Sequence, residues 1–302
     1  MIKNIILVGS GSHVKKKIIP ALKKKKIKII KTFTSREKLS EISNSNFNIK
    51  NLIYYISTPP KTHYLIAKAL LKKKKNLIIE KPALLKIKDF KIIKKLVISN
   101  KKNIFIENLM YQFSKIFQKF HNYWEKNKKK VKKIEINFLI PSFFKIGFRS
   151  MSKDKYIILY DIGIYPVSLL NFLQINIKKI ITISKYNKNK KMCHLKIFMK
   201  SSNLNLVINI GEEKKYYNNI ILTNIDGSKI YFDKIFSGVA TSKKILYYDK
   251  KKVLYKKIKF NDLNCFEKLF CFKSSYLKSL KFDSLKLLEK NLILLNKIKL
   301  KI

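Results

Sequence analysis

The chain has 302 residues, a formal charge of +50 from 68 Lys+Arg against 18 Asp+Glu, and 46% hydrophobic residues. That apolar content can fill a core and excludes disorder. Cys193, Cys265 and Cys271, few, odd in number and not spaced as metal pairs, exclude a disulfide scaffold or zinc module.

In the first part of the chain, short apolar runs at 5–8, 27–33, 52–56, 77–79 and 104–106 alternate with helix-like stretches. Those stretches lie at 12–25, 36–43, 61–74, 86–99 and 111–127. Strands alternating with helices predict a doubly wound parallel sheet. Met1 leads straight into the first run, with no basic leader and no cleavage pattern, so a cytoplasmic location is expected.

After residue 130 the pattern changes. A strand at 131–140 and an apolar helix at 157–173 precede strand-like runs at 178–186, 193–200, 204–210, 218–224, 228–233, 244–248 and 252–260. Consecutive strands predict a mainly antiparallel sheet in an α+β domain. Helices at 263–279 and 283–298 close the chain. The division expected is 1–120 and 121–302, with the closing helices open to packing back on the first part. Segment 156–177 carries a single charge, Asp161, but also Gly163, Pro166, Asn171 and Gln174, which are costly in lipid. It reads as a buried helix, and no membrane partner is expected.

The charge invites a nucleic-acid reading. Only Arg36 and Arg149 are arginine, however, and readers of nucleic acid favour arginine's planar fork. Abundant Lys, Ile, Asn, Phe and Tyr beside rare Ala, Gly and Arg point to A/T-rich coding bias. The lysines are then solvated faces with apolar stems, and no nucleic-acid partner is expected.

Five motifs sit where such a fold places chemistry. Gly9-Ser10-Gly11-Ser12-His13-Val14 follows the first strand and opens a helix. Gly9 permits the tight turn, and Gly11 lets a pyrophosphate approach the helix N-terminus. Val14 stands where the fingerprint's third, packing glycine would be. After the second strand, Ser35 and Arg36 are suited to a ribose 2′-phosphate, with no acid before Glu37. This favours NADP over NAD. Ser57-Thr58-Pro59-Pro60-Lys61-Thr62-His63 lies at the carboxyl end of the third strand, where ligands bind in such sheets. Glu80-Lys81-Pro82 follows the fourth strand. A lone lysine among so many means little, but that tripeptide in that position means more. Asp161 and Tyr165, i and i+4 on a helix, would share a face.

Taken together these segments resemble the glucose–fructose oxidoreductase / inositol dehydrogenase (Gfo/Idh/MocA) family of nicotinamide-dependent enzymes. Ile56-Ser57-Thr58-Pro59-Pro60-Lys61-Thr62-His63 is similar to its "ATPPxxH" segment, with Ala67 fitting. Ile79-Glu80-Lys81-Pro82 is similar to its EKP motif. Asp161-Ile162-Gly163-Ile164-Tyr165 is similar to its DxGxH/Y motif in the tyrosine form. The resemblance implies a Rossmann domain, then a domain with an open antiparallel sheet that often makes dimer or tetramer contacts. It implies cofactor contacts by Gly9, Ser10, Gly11, Ser12, His13, Ser35, Arg36, Ser57, Thr58, Pro59, His63, Glu80 and Lys81. Lys81 and Tyr165 would move the proton, Asp161 would orient a carbohydrate-like substrate, and NADP or NAD would carry the hydride. The chain departs from the family at Val14, at Gln112 in place of arginine, and in lacking the glycine run before Asp161, where Tyr156-Ile157-Ile158-Leu159 stands. Phe148-Arg149 resembles the "FR" often preceding that run. These departures motivate an alternative: a cofactor-binding relative without catalysis, acting as sensor or partner subunit.

Overall fold

Five of the apolar runs form one parallel sheet in the computed structural model. It describes residues 2–302 apart from 46, 48, 50, 51, 101, 102, 146, 147, 239, 240 and 263. The strands are β1 (Asn4–Val8), β2 (Lys28–Phe33), β3 (Ile53–Ile56), β4 (Asn76–Glu80) and β5 (Phe105–Asn108). They lie in the order β2-β1-β3-β4-β5, every pair parallel. The connections run to opposite sides of β1, so the order reverses between β1 and β3. A crevice opens at such a reversal, at the strands' carboxyl ends.

Side chains alternate between the two faces of the sheet. One face gathers Val8, Ile56, Leu77, Ile79 and Phe105 against the helices Pro60–Lys72 and Ile87–Ile98 and against Leu285, Leu288 and Leu292 of the closing helix. Each fully buried side chain of this size contributes roughly 1.5–3 kcal/mol. The other face carries Ile5, Leu7, Ile53, Tyr55 and Ile78, all fully buried. The first helix begins with a π-helical stretch, Val14–Ile18, before Ile19–Lys24.

The chain divides into two compact units. One comprises Met1–Leu109 with Phe266–Ile293, the other Met110–Cys265 with Leu294–Ile302. The second unit is built on β6 (Val131–Ile140), β7 (Lys179–Tyr186), β8 (Met192–Lys200), β9 (Asn205–Glu212), β10 (Tyr217–Asn224), β11 (Lys229–Asp233), β12 (Thr241–Tyr248) and β13 (Leu254–Asp262). The order is β13-β12-β11-β10-β6-β9-β8-β7, antiparallel except for the β6–β9 pair. The α/β class and the pairing of a parallel with a mainly antiparallel sheet are as expected. Inner residues such as Ile134, Ile136, Ile197, Ile208, Ile220 and Leu222 are buried, and their neighbours along each strand are more exposed.

Two helical expectations are corrected. The helix expected at 157–173 is two, Ile157–Asp161 and Ile164–Phe172. Pro166 has no N–H to give the carbonyl of Ile162, and its ring crowds that carbonyl. The break falls at 162–163. Asp161 and Tyr165 are therefore not one turn apart on a single helix. At the end of the chain the helices are Cys265–Cys271 and Ser274–Lys299. Residue 263, where the expected helix began, lies outside the described residues. No break occurs at 280–282, because nothing between 274 and 299 is glycine or proline.

Candidate active site

The ends of β1, β2 and β3 are stitched together by backbone. The Gly9 N–H donates to Phe33 O, and the Ser57 N–H to Val8 O, both at 2.8 Å. Gly9 has φ +117°, and a Cβ there would collide with the Ser57 carbonyl oxygen, with the Ser57 carbonyl carbon 2.8 Å away. Only glycine meets both demands. At Gly11 the situation is reversed: a Cβ would meet nothing within 4 Å. Gly11, Ser12 and His13 are exposed, and Ser10 is half-buried. The first N–H groups of the helix have no intrahelical partners and carry positive partial charge. Beyond β2, Ser35 and Arg36 are exposed. Glu37 folds back and accepts the Thr34 N–H and hydroxyl, both at 2.7 Å. Those two bonds hold its carboxyl below the usual range.

The loop after β3 is held by its own side chains. The Thr62 hydroxyl donates to Thr58 Oγ1 and Pro59 O. Thr58 is half-buried and Pro59 exposed. His63 is fully buried, with Nδ1 3.0 Å from Pro82 O and Nε2 2.8 Å from Thr58 O. Burial pushes its pKa down, and the two carbonyl oxygens, each of which only a ring N–H can satisfy, draw it partly back. His63 thus ties the Thr58 loop to the Lys81-Pro82 loop, whose peptide bond is cis.

Glu80, at the end of β4, is the centre of a buried network. Its Oε1 accepts from His13 Nε2 at 3.1 Å, from Asn108 Nδ2 at 2.9 Å, and from the Tyr55 hydroxyl. Asn108 Nδ2 also donates to the Tyr55 hydroxyl oxygen at 2.9 Å. Burial pushes the Glu80 carboxyl up, but His13, Tyr55 and Asn108 together outweigh it and hold it down to about 2. His13 packs edge-on to Phe266, and Tyr55 leans on Phe270. The glycine-rich loop and the Glu80-Lys81-Pro82 segment are brought together through the His13–Glu80 pair. Lys81 is half-buried.

In the second unit, Asp161 is buried and paired with Arg149, Nε to Oδ2 at 2.5 Å. The guanidinium lies over the Phe143 ring at 4.5 Å. Tyr165 is buried in an aromatic cage of Tyr111, Phe138 and Phe236, with ring centroids 5.3–5.9 Å away. The Tyr111 hydroxyl meets Ser168 Oγ at 2.9 Å.

Sequence reasoning passed over Tyr55, Glu107 and Asn108. The signal was present. Glu107-Asn108 follows the apolar run 104–106 just as Glu80-Lys81 follows 77–79. Both pairs put polar side chains at the carboxyl end of a parallel strand.

Residues 3–108 match the family described as oxidoreductase family, NAD-binding Rossmann fold. The chain is an oxidoreductase with an NAD(P)-binding Rossmann fold. That match is to the Gfo/Idh/MocA family, which the motifs implied. The whole chain is similar in fold to KijD10, a 3-ketoreductase from Actinomadura kijaniata in complex with TDP-benzene and NADP. There the TM-score is 0.80 at 11% identity, covering 99% of this chain and 97% of that one. It is also similar to the UDP-N-acetylglucosamine 3-dehydrogenase GnnA from Acidithiobacillus ferrooxidans, with TM-score 0.73, 10% identity, and 100% and 98% coverage. An aldose-aldose oxidoreductase from Caulobacter crescentus gives TM-score 0.75, 12% identity, and 100% and 97% coverage. Likeness at such identity bears on the fold. No curated protein matches the sequence. Among the described residues no helix is long and apolar enough to cross a membrane.

Proposed function

We propose that the protein is an NADP(H)-preferring dehydrogenase or reductase acting on a carbinol or keto carbon of a sugar, sugar nucleotide or cyclitol. The observation that carries this reading is the pair Gly9 and Gly11. Gly9 is locked against Ser57 where the strand order reverses, and beside it Gly11 opens onto space at a helix N-terminus. These residues fit a dinucleotide. Gly9, Ser10, Gly11, Ser12 and His13 would hold its pyrophosphate, and Ser57, Thr58 and Pro59 would flank it. His63 and Glu80 act through the loops they fix. Ser35 and Arg36 are free for a 2′-phosphate while Glu37 is committed to Thr34, which supports NADP over NAD.

When bound, the nicotinamide supplies or takes the hydride. Lys81 and Tyr165 move the accompanying proton at the substrate oxygen. Asp161, oriented by Arg149, positions the substrate. The carbohydrate class is supported by two of the relatives in fold, whose names give UDP-N-acetylglucosamine and aldoses. A homodimer or homotetramer, and a cytoplasmic location, belong to the same reading.

The test is fluorescence titration of the purified chain with NADPH and NADH. Saturable binding, tighter for NADPH, is expected, and its absence overturns the proposal. Lys81→Ala is expected to leave that binding in place and to lower turnover about 10²–10⁴-fold on a reactive sugar. Undiminished turnover removes Lys81 from the chemistry.

A further inference from the structure

We infer that Glu107 is the positioning residue that sets the charge and posture of Lys81. The inference rests on the reading of Lys81 as a proton carrier, but its evidence lies within the first unit alone. Glu107 pairs with Ile79 in the β4–β5 register, one position before Glu80 pairs with Asn108. Paired residues of neighbouring strands point to the same face. Glu107 therefore stands with Ile79 on the face opposite Glu80, and Lys81 follows Glu80 directly as β4 ends.

Its contacts grip the lysine's loop. Glu107 Oε1 accepts the Ala83 N–H at 2.8 Å, two residues beyond Lys81 across the cis bond. Its own N–H donates to Ser284 Oγ at 3.1 Å on the closing helix. The side chain is 6% exposed, and Oε2 is buried with no hydrogen bond. The groups acting on this carboxyl are Glu80 and Lys81 from β4 and its loop, the Ala83 N–H, and the Asn291 amide from the closing helix.

A buried carboxyl with one firm donor titrates in the neutral range. Burial pushes Glu107 up, the Ala83 N–H and the Lys81 charge draw it partly back, and the balance lies at about 7. Such coupling is reciprocal. If the ammonium of Lys81 favours the Glu107 carboxylate, that carboxylate favours the ammonium to the same degree. Ionised Glu107 strengthens the hold of Lys81 on its proton, and protonated Glu107 weakens it.

Competitive acetylation of the full-length protein with acetic anhydride across pH tests this. Lys81 and the exposed Lys61 are quantified by peptide mass spectrometry, with Lys61 as internal reference. Glu107→Gln keeps an oxygen for the Ala83 N–H and removes the charge. Lys81 is expected to reach half-reactivity at lower pH in this variant. Below its midpoint it should then react faster than in the wild type, by up to roughly tenfold. Coincident Lys81 profiles in two proteins of equal melting temperature overturn the inference. A reciprocal measurement does not depend on Glu107→Gln folding. The infrared carbonyl band of protonated Glu107 should persist to higher pH in Lys81→Met than in the wild type, and an unmoved band overturns the inference as well. Neither readout needs cofactor or turnover. A protein that fails to bind NADPH leaves this result standing, and the converse also holds.

Discussion

Glu80 and Glu107 stand on adjacent strands at the same edge of one sheet, both nine-tenths buried or more. Burial disfavours the ionised form of each. Glu80 is nonetheless held to about 2, and Glu107 rises to about 7. The difference lies in what faces them. On the Glu80 side, one oxygen collects an imidazole, an amide and a phenol. On the Glu107 side, one backbone N–H reaches one oxygen and the Asn291 amide adds a smaller pull. Two carboxyls under nearly equal desolvation are set apart by their donors, and Lys81 follows the first of them directly in the chain. An arrangement that fixes one acid as an anion and leaves its neighbour able to titrate is a common basis for acid–base work.

The strongest way to break this contrast is to remove the Glu80 carboxylate. In Glu80→Ala, the Tyr55 hydroxyl and the Asn108 amide lose a buried acceptor and His13 loses its ion partner. Urea unfolding near neutral pH should show a loss of roughly 2–4 kcal/mol, the scale of two buried donors left unsatisfied. A loss below about 1 kcal/mol would mean that the network does not hold the edge of the sheet.

A second approach sharpens the contrast without breaking it, through the pH dependence of stability. Glu80 is depressed in the folded state, so its contribution is present above the ordinary carboxylate value of 4.5 and is lost as pH falls towards 2. Glu107 is raised, so its effect has the opposite sign. Stability is full below 4.5 and declines as pH rises through about 7. Urea midpoints across pH 2–8 are expected to fall at both ends of that range. Glu80→Gln should flatten the acid side, and Glu107→Gln the neutral side. If both substitutions act on the same limb, the two carboxyls have been assigned to the wrong environments.

The part of this site legible in the sequence was the part set by strand ends. Gly9, Gly11 and Glu80-Lys81-Pro82 each follow an apolar run directly, and position alone marked them. Glu107-Asn108 carried the same mark but matched no motif, and it went unread. That there are two sheets, one parallel and one mainly antiparallel, followed from alternation against succession of strands, whereas the order β2-β1-β3-β4-β5 is carried by no local pattern. The break between Asp161 and Tyr165 was not read, because a spacing of four implies a shared face only on an unbroken helix, and Pro166 interrupts it at Ile162. The Arg149–Asp161 pair joins residues from two helices across a turn, and no local period encodes that. Nor does any period show which of two buried acids receives three donors. That depends on Tyr55 and His13, brought from β3 and from the loop after β1.

The smallest effects test the two sides with single hydroxyl groups. Tyr55→Phe removes one donor to Glu80 and one acceptor from Asn108 while keeping the ring against Phe270. Ser284→Ala removes the acceptor of the Glu107 N–H but touches neither carboxyl oxygen. Each should cost about 1–2 kcal/mol in urea unfolding, the scale of one buried hydrogen bond with a partner left unsatisfied. Their effects on titration should differ. Without the phenol, the Glu80 carboxyl loses one of the groups holding it down, so the acid limb of the stability profile moves to higher pH. In Ser284→Ala the neutral limb should stay in place, because the hydroxyl bonds the backbone and not the acid. A neutral limb that moves in Ser284→Ala would show that the closing helix, and not the burial of the carboxyl, sets the state of Glu107.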